Sequence, residues 1–427
     1  MVAALLVGAI SYNAALAVLN AHGRTLSMTQ VAMTEFLVLS IVAAAVLSRK
    51  LSPQDEPPVI MGVAFLMGAL FLSFINGGLV VEALRNVAII VLFTMLGLRS
   101  NERGIRLAFA LAIAVVLAGL LFELFGRQGY ASFFNPFSYY QNTRGLGEID
   151  YTDSGLFGNA HGFEGRFSLG VFMTPRTSSI FLEQTSLANF AGVIMIYLVS
   201  MWRSLGRAEK WLGVGFVVLA LLSNNTRMSS GFALLSIAGY FLYPRLPRYA
   251  TLLLPLIMLG AAIAVTTILG PSKEDDLAGR LGLSVYLLSL TDLPASLGAR
   301  VFESGQFPDS GYSYVLYSSS IVGAIALWIY VALIVPFQTD AQKRCAWSIG
   351  IFFFMNLLVA GNAIFSMKVA APLWLLAGFM RSLSTARSAT AVDRVTGRTQ
   401  PPVPEAVPVR GRLVGNVASR PAAGRAR

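Results

Sequence analysis

Apolar segments about 20 residues long recur along most of the sequence, and short polar stretches separate them. A helix of this length crosses the hydrocarbon core of a bilayer and satisfies its own backbone polar groups on the way. Hydrophobic residues make up 56% of the chain and charged residues only 12%, about half the charged fraction of a soluble domain. The pattern predicts an all-α polytopic membrane protein with about 12 transmembrane helices. The expected crossings lie near 2–20, 29–48, 58–80, 86–98, 105–125, 184–202, 210–224, 229–243, 249–270, 313–337, 345–360 and 363–381.

Basic residues fall on every second connection between these segments. Short cytoplasmic loops of membrane proteins carry an excess of Lys and Arg, so the alternation predicts that both termini are cytoplasmic. Two longer polar segments, 126–183 and 271–312, are then expected on the outer side. The basic residues concerned are Arg49, Lys50, Arg99, Arg103, Arg106, Arg203, Arg207, Lys210, Arg245, Arg248, Lys343 and Arg344. The helical blocks between and around the outer segments are 1–125, 184–270 and 313–382.

The tail at 383–427 differs in composition from the rest of the chain. It is rich in Pro, Ala, Val and Arg and shows no hydrophobic period, and its last 42 residues hold eight arginines against Asp393 and Glu405. We expect it to be disordered in the cytoplasm and to touch anionic lipid at most. The other basic residues lie mostly at helix ends, which argues for membrane orientation and against nucleic acid as a partner. A single cysteine, Cys345, excludes an internal disulfide framework and a Cys-rich metal site.

Several cations break the orientation rule, because they are expected on the outer side. Cations that converge there would form a cradle for an anion, and the planar fork of arginine suits phosphate. The alternative is that each one reaches a lipid phosphate singly, since long loops are translocated regardless of their charge. The residues concerned are Arg127, Arg144, Arg166, Arg176, Arg227, Lys273, Arg280, Arg300 and Lys368.

Candidates for acid–base chemistry are few. The sequence has no GxSxG, HExxH or Gly-rich nucleotide-binding loop, so hydrolase, zincin and ATPase functions lack their motifs. His161 lies in the first outer segment, although a lone histidine in a loop is usually just solvated. Glu183 is the most constrained carboxylate because it lies where the chain enters the bilayer, but it could also serve only as a partner for an arginine. Other acids expected on the outer side are Asp309, Asp275 and Asp276, with Glu35 and Glu123 near helix ends.

The first outer segment also carries six aromatic residues within 129–140, GYASFFNPFSYY. Such a cluster is typical of the aromatic belt at a membrane interface. The alternative is a set of aromatic faces on which sugar rings stack.

Three short motifs resemble the signature of Wzy-type bacterial polysaccharide polymerases, in the O-antigen ligase and polymerase superfamily. The first is RTSSIFLE at 176–183, where the chain re-enters an apolar run. The second is the hairpin SNNTRMSSG at 223–231, with Arg227 at its centre. The third is DSGY at 309–312, just before an apolar run. Residues that follow the first motif at the start of a helix also fit: Ser186, Asn189 and Phe190.

Some members of that family carry, in the two large outer loops, an arginine and a glycine that are separated by ten residues. The pairs Arg144–Gly155 and Arg300–Gly311 match this spacing.

The resemblance implies a GT-C-like glycosyltransferase with two larger periplasmic loops. Its substrate would be an oligosaccharide on undecaprenyl pyrophosphate in the bacterial inner membrane, with pyrophosphate as the leaving group and no cofactor or metal. A chain-length regulator and a flippase would be its protein partners. The implied substrate-binding residues are Arg176, Arg227, Arg280, Arg300, Arg144 and Lys368, and the implied acid–base candidates are Glu183, Asp309 and His161.

Two other functions fit parts of the sequence. An O-antigen ligase shares the architecture and the lipid donor but is expected to carry a histidine in its second large outer loop, and 271–312 holds none. A polysaccharide flippase or other transporter needs polar or broken helices near the bilayer midplane. Here the ionisable residues cluster towards one side of the membrane, which favours the polymerase.

Overall fold

The computed structural model describes residues 1–145, 154–160, 171–172, 175–270, 277–307, 309–359 and 361–395. Contacts divide the chain into two units, Met1–Ser384 and Thr385–Arg427. Every regular element among the described residues is helical. Several residues named above lie outside the described ranges: His161, Arg166, Lys273, Asp275, Asp276 and the tail beyond Val395.

The described residues form sixteen α-helices, joined by turns and short 3-10 segments. They are α1 (Val2–His22), α2 (Met28–Leu47), α3 (Glu56–Ile75), α4 (Val81–Leu98), α5 (Glu102–Phe125), α6 (Arg127–Phe134), α7 (Pro136–Arg144), α8 (Gln184–Met201), α9 (Arg207–Asn224), α10 (Arg227–Leu242), α11 (Leu254–Leu269), α12 (Leu277–Ser289), α13 (Leu293–Ser296), α14 (Gly311–Leu333), α15 (Asp340–Val359) and α16 (Met367–Val395).

Among the described residues, eight helical stretches are long and apolar enough to cross a membrane. They are α1 to α5, α8, the stretch Arg248–Ile268 that covers most of α11, and α14. Helices also cover the other four predicted crossings, as α9, α10, α15 and α16, but these four are not in that set. The helical class is therefore confirmed, and eight predicted crossings are helices of suitable length and hydropathy, while the count of about 12 stays a prediction.

The two segments expected as outer loops contain helices of their own. Helices α6 and α7 lie in 126–183, and α12 and α13 lie in 271–312. These helices are short and carry too few consecutive apolar residues to stand out as crossings. Tyr130, Tyr139 and Tyr140 of the aromatic cluster are buried, so part of that cluster packs inward.

Helix α8 lies at the centre of the packing, since nearly all of its residues are buried. Helices α4 and α16 meet through glycines. A Cβ atom on Gly97 would lie 2.1 Å from the carbonyl oxygen of Leu375, and one on Gly378 would lie 1.9 Å from that of Thr94. Small residues at such crossings let helix backbones approach closely, which is how helices pack in lipid.

Large apolar side chains cover the outward faces of several helices. Phe36 of α2, Phe74 of α3, Leu234 of α10 and Ile257 of α11 are all exposed. Contiguous apolar surface of this kind is unfavourable in water and favourable against lipid tails. The exposed faces therefore support a helical membrane protein.

Candidate functional site

The site begins with the tight turn between Arg176 and Glu183, just before α8. Ser179 and Leu182 of this turn adopt positive φ angles of 53° and 63°, a conformation that side chains with a Cβ rarely adopt. Such strain persists only where the surroundings over-determine it. The turn is therefore held by contacts from other helices.

Glu123, near the end of α5, supplies the main contact that holds the turn. Its Oε2 accepts hydrogen bonds from the backbone N–H groups of Ser178 at 2.8 Å and of Ser179 at 2.6 Å. Tyr130 donates its hydroxyl to the Ser179 carbonyl at 2.6 Å. On the same face of α5, a Cβ on Gly119 would lie 2.5 Å from a methyl of Ile180, so glycine lets the turn approach.

Arg176 joins this turn to the hairpin between α9 and α10. Its Nε donates to the Asn224 carbonyl at 2.6 Å, and its Nη2 donates to the Thr226 hydroxyl at 2.9 Å. The Asn224 side chain in return donates to the carbonyls of Thr177 at 2.7 Å and Gln184 at 2.9 Å. The first two sequence motifs are thus one hydrogen-bonded unit.

Glu183 lies between two cations that come from distant parts of the chain. Its carboxylate is 3.5 Å from Nη1 of Arg144 and 3.9 Å from Nζ of Lys368, and it accepts the Ser186 hydroxyl at 3.2 Å. Burial raises the pKa of Glu183, but Arg144 and Lys368 outweigh it, so the net pKa is lowered. Burial lowers the pKa of Arg144, but Glu183 reverses this, and the net pKa is raised. Both groups are therefore held in their charged forms.

One cavity of about 1420 Å³ is lined by Arg144, Arg176, Glu183 and Lys368. It lies at what we call the cavity end of the helices, where α2, α8, α10 and α16 begin and α5 ends. Helix α7 contributes Tyr139 and Tyr140 to the wall, and the guanidinium of Arg144 lies 4.3 Å from the centre of the Tyr140 ring. The predicted site residues that line the cavity are Arg144, Arg176, Glu183, Arg227, Arg280, Asp309 and Lys368.

The third motif reaches the cavity through Asp309, and α12 brings Arg280 to the same space. Arg280 donates to the Val359 carbonyl at 3.4 Å, and Ser284, one turn further along α12, donates to the Leu358 carbonyl at 2.6 Å. Asp309 is exposed, and it precedes α14 directly. The C-terminal end of α15 therefore fixes Arg280 beside the segment that carries Asp309.

Two predicted site residues do not join this group. Arg300 forms an ion pair with Asp292 at 2.8 Å, and it is not among the described residues that line the cavity. His161 lies outside the described residues, so its prediction stays untested.

The cavity also contains charged residues that the sequence interpretation left without a role. Glu35 of α2 accepts a hydrogen bond from Tyr12 and lies 3.5 Å from Nη1 of Arg85 in α4. The signal that finds such residues is an ionisable side chain inside an apolar run, which is costly in lipid unless it has a task. Arg85 was missed because the predicted crossing began at 86, whereas α4 begins at Val81.

Comparison with protein-family models, with curated proteins and with solved structures finds no match. Within the described residues, no three His, Cys, Asp or Glu side chains are grouped so as to hold a metal ion. The fold and site define an all-helical chain, rich in helices long enough to span a membrane, with a charged cavity at one end.

Proposed function

We propose that the protein is a polysaccharide polymerase, a glycosyltransferase that extends a glycan carried on undecaprenyl pyrophosphate. The observation that carries this proposal is the convergence of cations on one cavity. Arg144, Arg176, Arg227, Arg280 and Lys368 come from separate segments of the chain and line the same space. With Arg85 they outnumber the four carboxylates of the same lining by six to four, and this excess of positive charge favours a bound anion.

A diphosphate fits this group of cations. Arginine offers parallel donors that match phosphate oxygens, and lysine adds a point charge. Helices α8 and α10 both begin at the cavity, so their N-terminal dipoles add partial positive charge there. Such groups would stabilise the charge that develops on a departing diphosphate.

The carboxylates take different roles in this proposal. A hydroxyl oxygen of the acceptor sugar attacks the anomeric carbon, the bond to the diphosphate breaks, and the diphosphate leaves with the electron pair. Asp309 accepts the hydroxyl proton, because its carboxylate is exposed at the cavity wall. Glu183 is a weak base, since its pKa is lowered, and it instead holds Arg144 and Lys368 in place.

The proposal also includes the orientation inferred from the basic connections. The cavity end would face the periplasm in the bacterial inner membrane, with both termini in the cytoplasm. A flippase would deliver the lipid-linked units, and a chain-length regulator would limit the product. A topology reporter inserted at 145–154 should read as outside the cytoplasm, and a cytoplasmic signal would contradict this orientation.

Purified protein in lipid nanodiscs, supplied with lipid-linked repeat units from the native host, tests the reaction. We expect the unaltered protein to release undecaprenyl pyrophosphate and make a ladder of longer glycans. Arg176→Ala and Arg227→Ala should each lower the rate on the order of 100-fold, the usual effect of removing a group that stabilises transition-state charge.

Arg203→Ala is the matched control, because Arg203 lies at the opposite end of the helices and is largely exposed. It should leave the ladder unchanged. Transfer of glycan only when lipid A-core is added would indicate a ligase instead, and transport without bond formation would indicate a flippase. Normal ladders from both Ala variants in the cavity would overturn the proposal.

A further inference from the structure

The cavity does not end at its charged residues but continues along α2 and α4. The residues of this extension recur every three or four positions on both helices, so each set forms one stripe on its helix. They are Phe36, Leu39 and Ala43 on α2, and Leu84, Ala88 and Leu92 on α4. We call this surface the α2–α4 groove.

The α2–α4 groove is apolar and runs away from the charged part of the cavity. From Glu35 to Ala43 it follows α2 for about 12 Å, at 1.5 Å per residue. Helix α2 is exposed along much of its length, and Phe36 of the groove is 73% exposed. A hydrocarbon chain in the groove would therefore leave lipid without crossing water.

Arg85 lies where the groove meets the charged cavity. Its guanidinium donates to the side-chain oxygen of Asn86 at 3.0 Å and lies 3.5 Å from Glu35 and 3.8 Å from Glu82. Charge-assisted hydrogen bonds are shorter, about 2.7–2.9 Å, so these two ion pairs are loose. Glu35 holds the guanidinium of Arg85 where the groove meets the charged cavity. A phosphate oxygen can replace Glu35 as the partner of Arg85.

We propose that the α2–α4 groove holds the hydrocarbon chain of a polyprenyl diphosphate, and that Arg85 binds the phosphate nearest to that chain. This inference rests on the proposed function. It adds that the hydrocarbon chain of the lipid extends from the charged cavity along α2 and α4. The apolar stripe matches an isoprenoid chain, and the five cations beyond Arg85 match its diphosphate. A glycan in the groove would leave most of its hydroxyl groups without polar partners, so it is a poor occupant.

Binding to purified protein in nanodiscs, measured with two probes, tests this inference. Undecaprenyl diphosphate reports on the chain and the phosphates together, and inorganic pyrophosphate reports on the phosphates alone. Filling the groove with Ala43→Phe should weaken undecaprenyl diphosphate binding by about 10-fold and leave pyrophosphate binding unchanged. Ser40→Phe fills the same groove from an exposed position, and it serves if Ala43→Phe does not fold.

Ala44→Phe is the matched control, because Ala44 is the next residue of α2 and is exposed away from the cavity. It should bind both probes as the unaltered protein does. Arg85→Gln should weaken the binding of both probes by about 10-fold, whereas Arg203→Gln should weaken neither.

Each outcome separates the two proposals. If the unaltered protein binds neither probe, the proposed function fails. If it binds both probes but Ala43→Phe and Ser40→Phe match Ala44→Phe, the chain lies elsewhere and only the groove assignment fails. Normal pyrophosphate binding by Arg85→Gln would overturn the role of Arg85.

Discussion

The two ends of the helices handle charge in different ways. At the opposite end, Arg99 pairs with Asp55 at 3.0 Å and Arg106 pairs with Glu209 at 2.6 Å. At the cavity end, the cations that belong to the sequence motifs line a large shared space. Among the described residues, the acids that line it with them are Glu35, Glu82, Glu183 and Asp309.

The difference separates structural charges from functional ones. A pair such as Arg106 and Glu209 joins two helix ends that are already neighbours, α5 and α9, and is satisfied within the protein. The cavity cations also come from segments far apart in the chain, but they share one space in which they outnumber the carboxylates, so the fold brings together charges that repel one another. Such an arrangement is stable only with a ligand or with strong local support.

Lys368 gives the sharpest contrast between the ends. Its buried ammonium donates to the Phe181 carbonyl at 3.1 Å and lies beside Glu183. We expect Lys368→Met to lower the polymerisation rate on the order of 100-fold, because the cavity loses a charge that stabilises the leaving group. Lys343→Met is the control at the opposite end, where Lys343 donates to the Pro244 carbonyl. Equal rates for both variants, measured in nanodiscs, would remove the distinction between the ends.

Glu123 tests whether the cavity end depends on the strained turn. In Glu123→Gln an amide replaces the carboxyl group whose Oε2 accepts the N–H groups of Ser178 and Ser179. We expect the rate to fall by about 10-fold, the effect of weakening these hydrogen bonds. Substrate KM should change little, because the cations remain.

A positioning role for Glu123 predicts coupling with Glu183 at the other end of the turn. In a Glu183→Gln background, the effect of Glu123→Gln on the rate should shrink, because the turn then has less to position. Fully additive effects, or a loss explained entirely by less folded protein, would reduce Glu123 to a structural residue.

The charge state of Glu183 gives the smallest predicted effect, on stability. Its lowered pKa means that its ion pairs stabilise the folded protein above the unfolded glutamate value of about 4.3. That contribution is lost as the pH falls through the lower folded pKa. Thermal unfolding should show a constant gap between the unaltered protein and Glu183→Gln from neutral pH down to about pH 5, and a shrinking gap below it. An advantage of the unaltered protein that grows as the pH falls from 7 to 5 would mean that the pKa of Glu183 is raised instead.

Much of the cavity end could be predicted from the sequence, because its charged residues interrupt apolar runs. The apolar runs themselves predict the helical class and several crossings. The charges that interrupt them include Arg176, Glu183 and Arg227, which line the cavity together. The grouping was expected from a motif resemblance, and the hydrogen bonds from Arg176 to the 224–226 hairpin give it a physical form.

Other features depend on long-range contacts that hydropathy does not record. Arg300 was expected in the site because of a glycine spacing, yet its ion pair with Asp292 satisfies it locally. Helices α6 and α7 are too short and polar to stand out, and only packing makes α7 a wall of the cavity. Arg85 and Glu82 are three residues apart on α4, so they compensate each other and the helix begins earlier than the apolar run.

The central claim is that the protein joins lipid-linked repeat units at the cation-lined cavity. The most direct measurement replaces Arg227 with Ala in the native host and follows glycan length and lipid-linked intermediates, beside an Arg203→Ala strain with equal protein levels. We predict that Arg227→Ala accumulates single repeat units on the lipid carrier and makes no long polymer, while Arg203→Ala makes polymer of normal length. Long polymer without accumulated single units in the Arg227→Ala strain would contradict the claim.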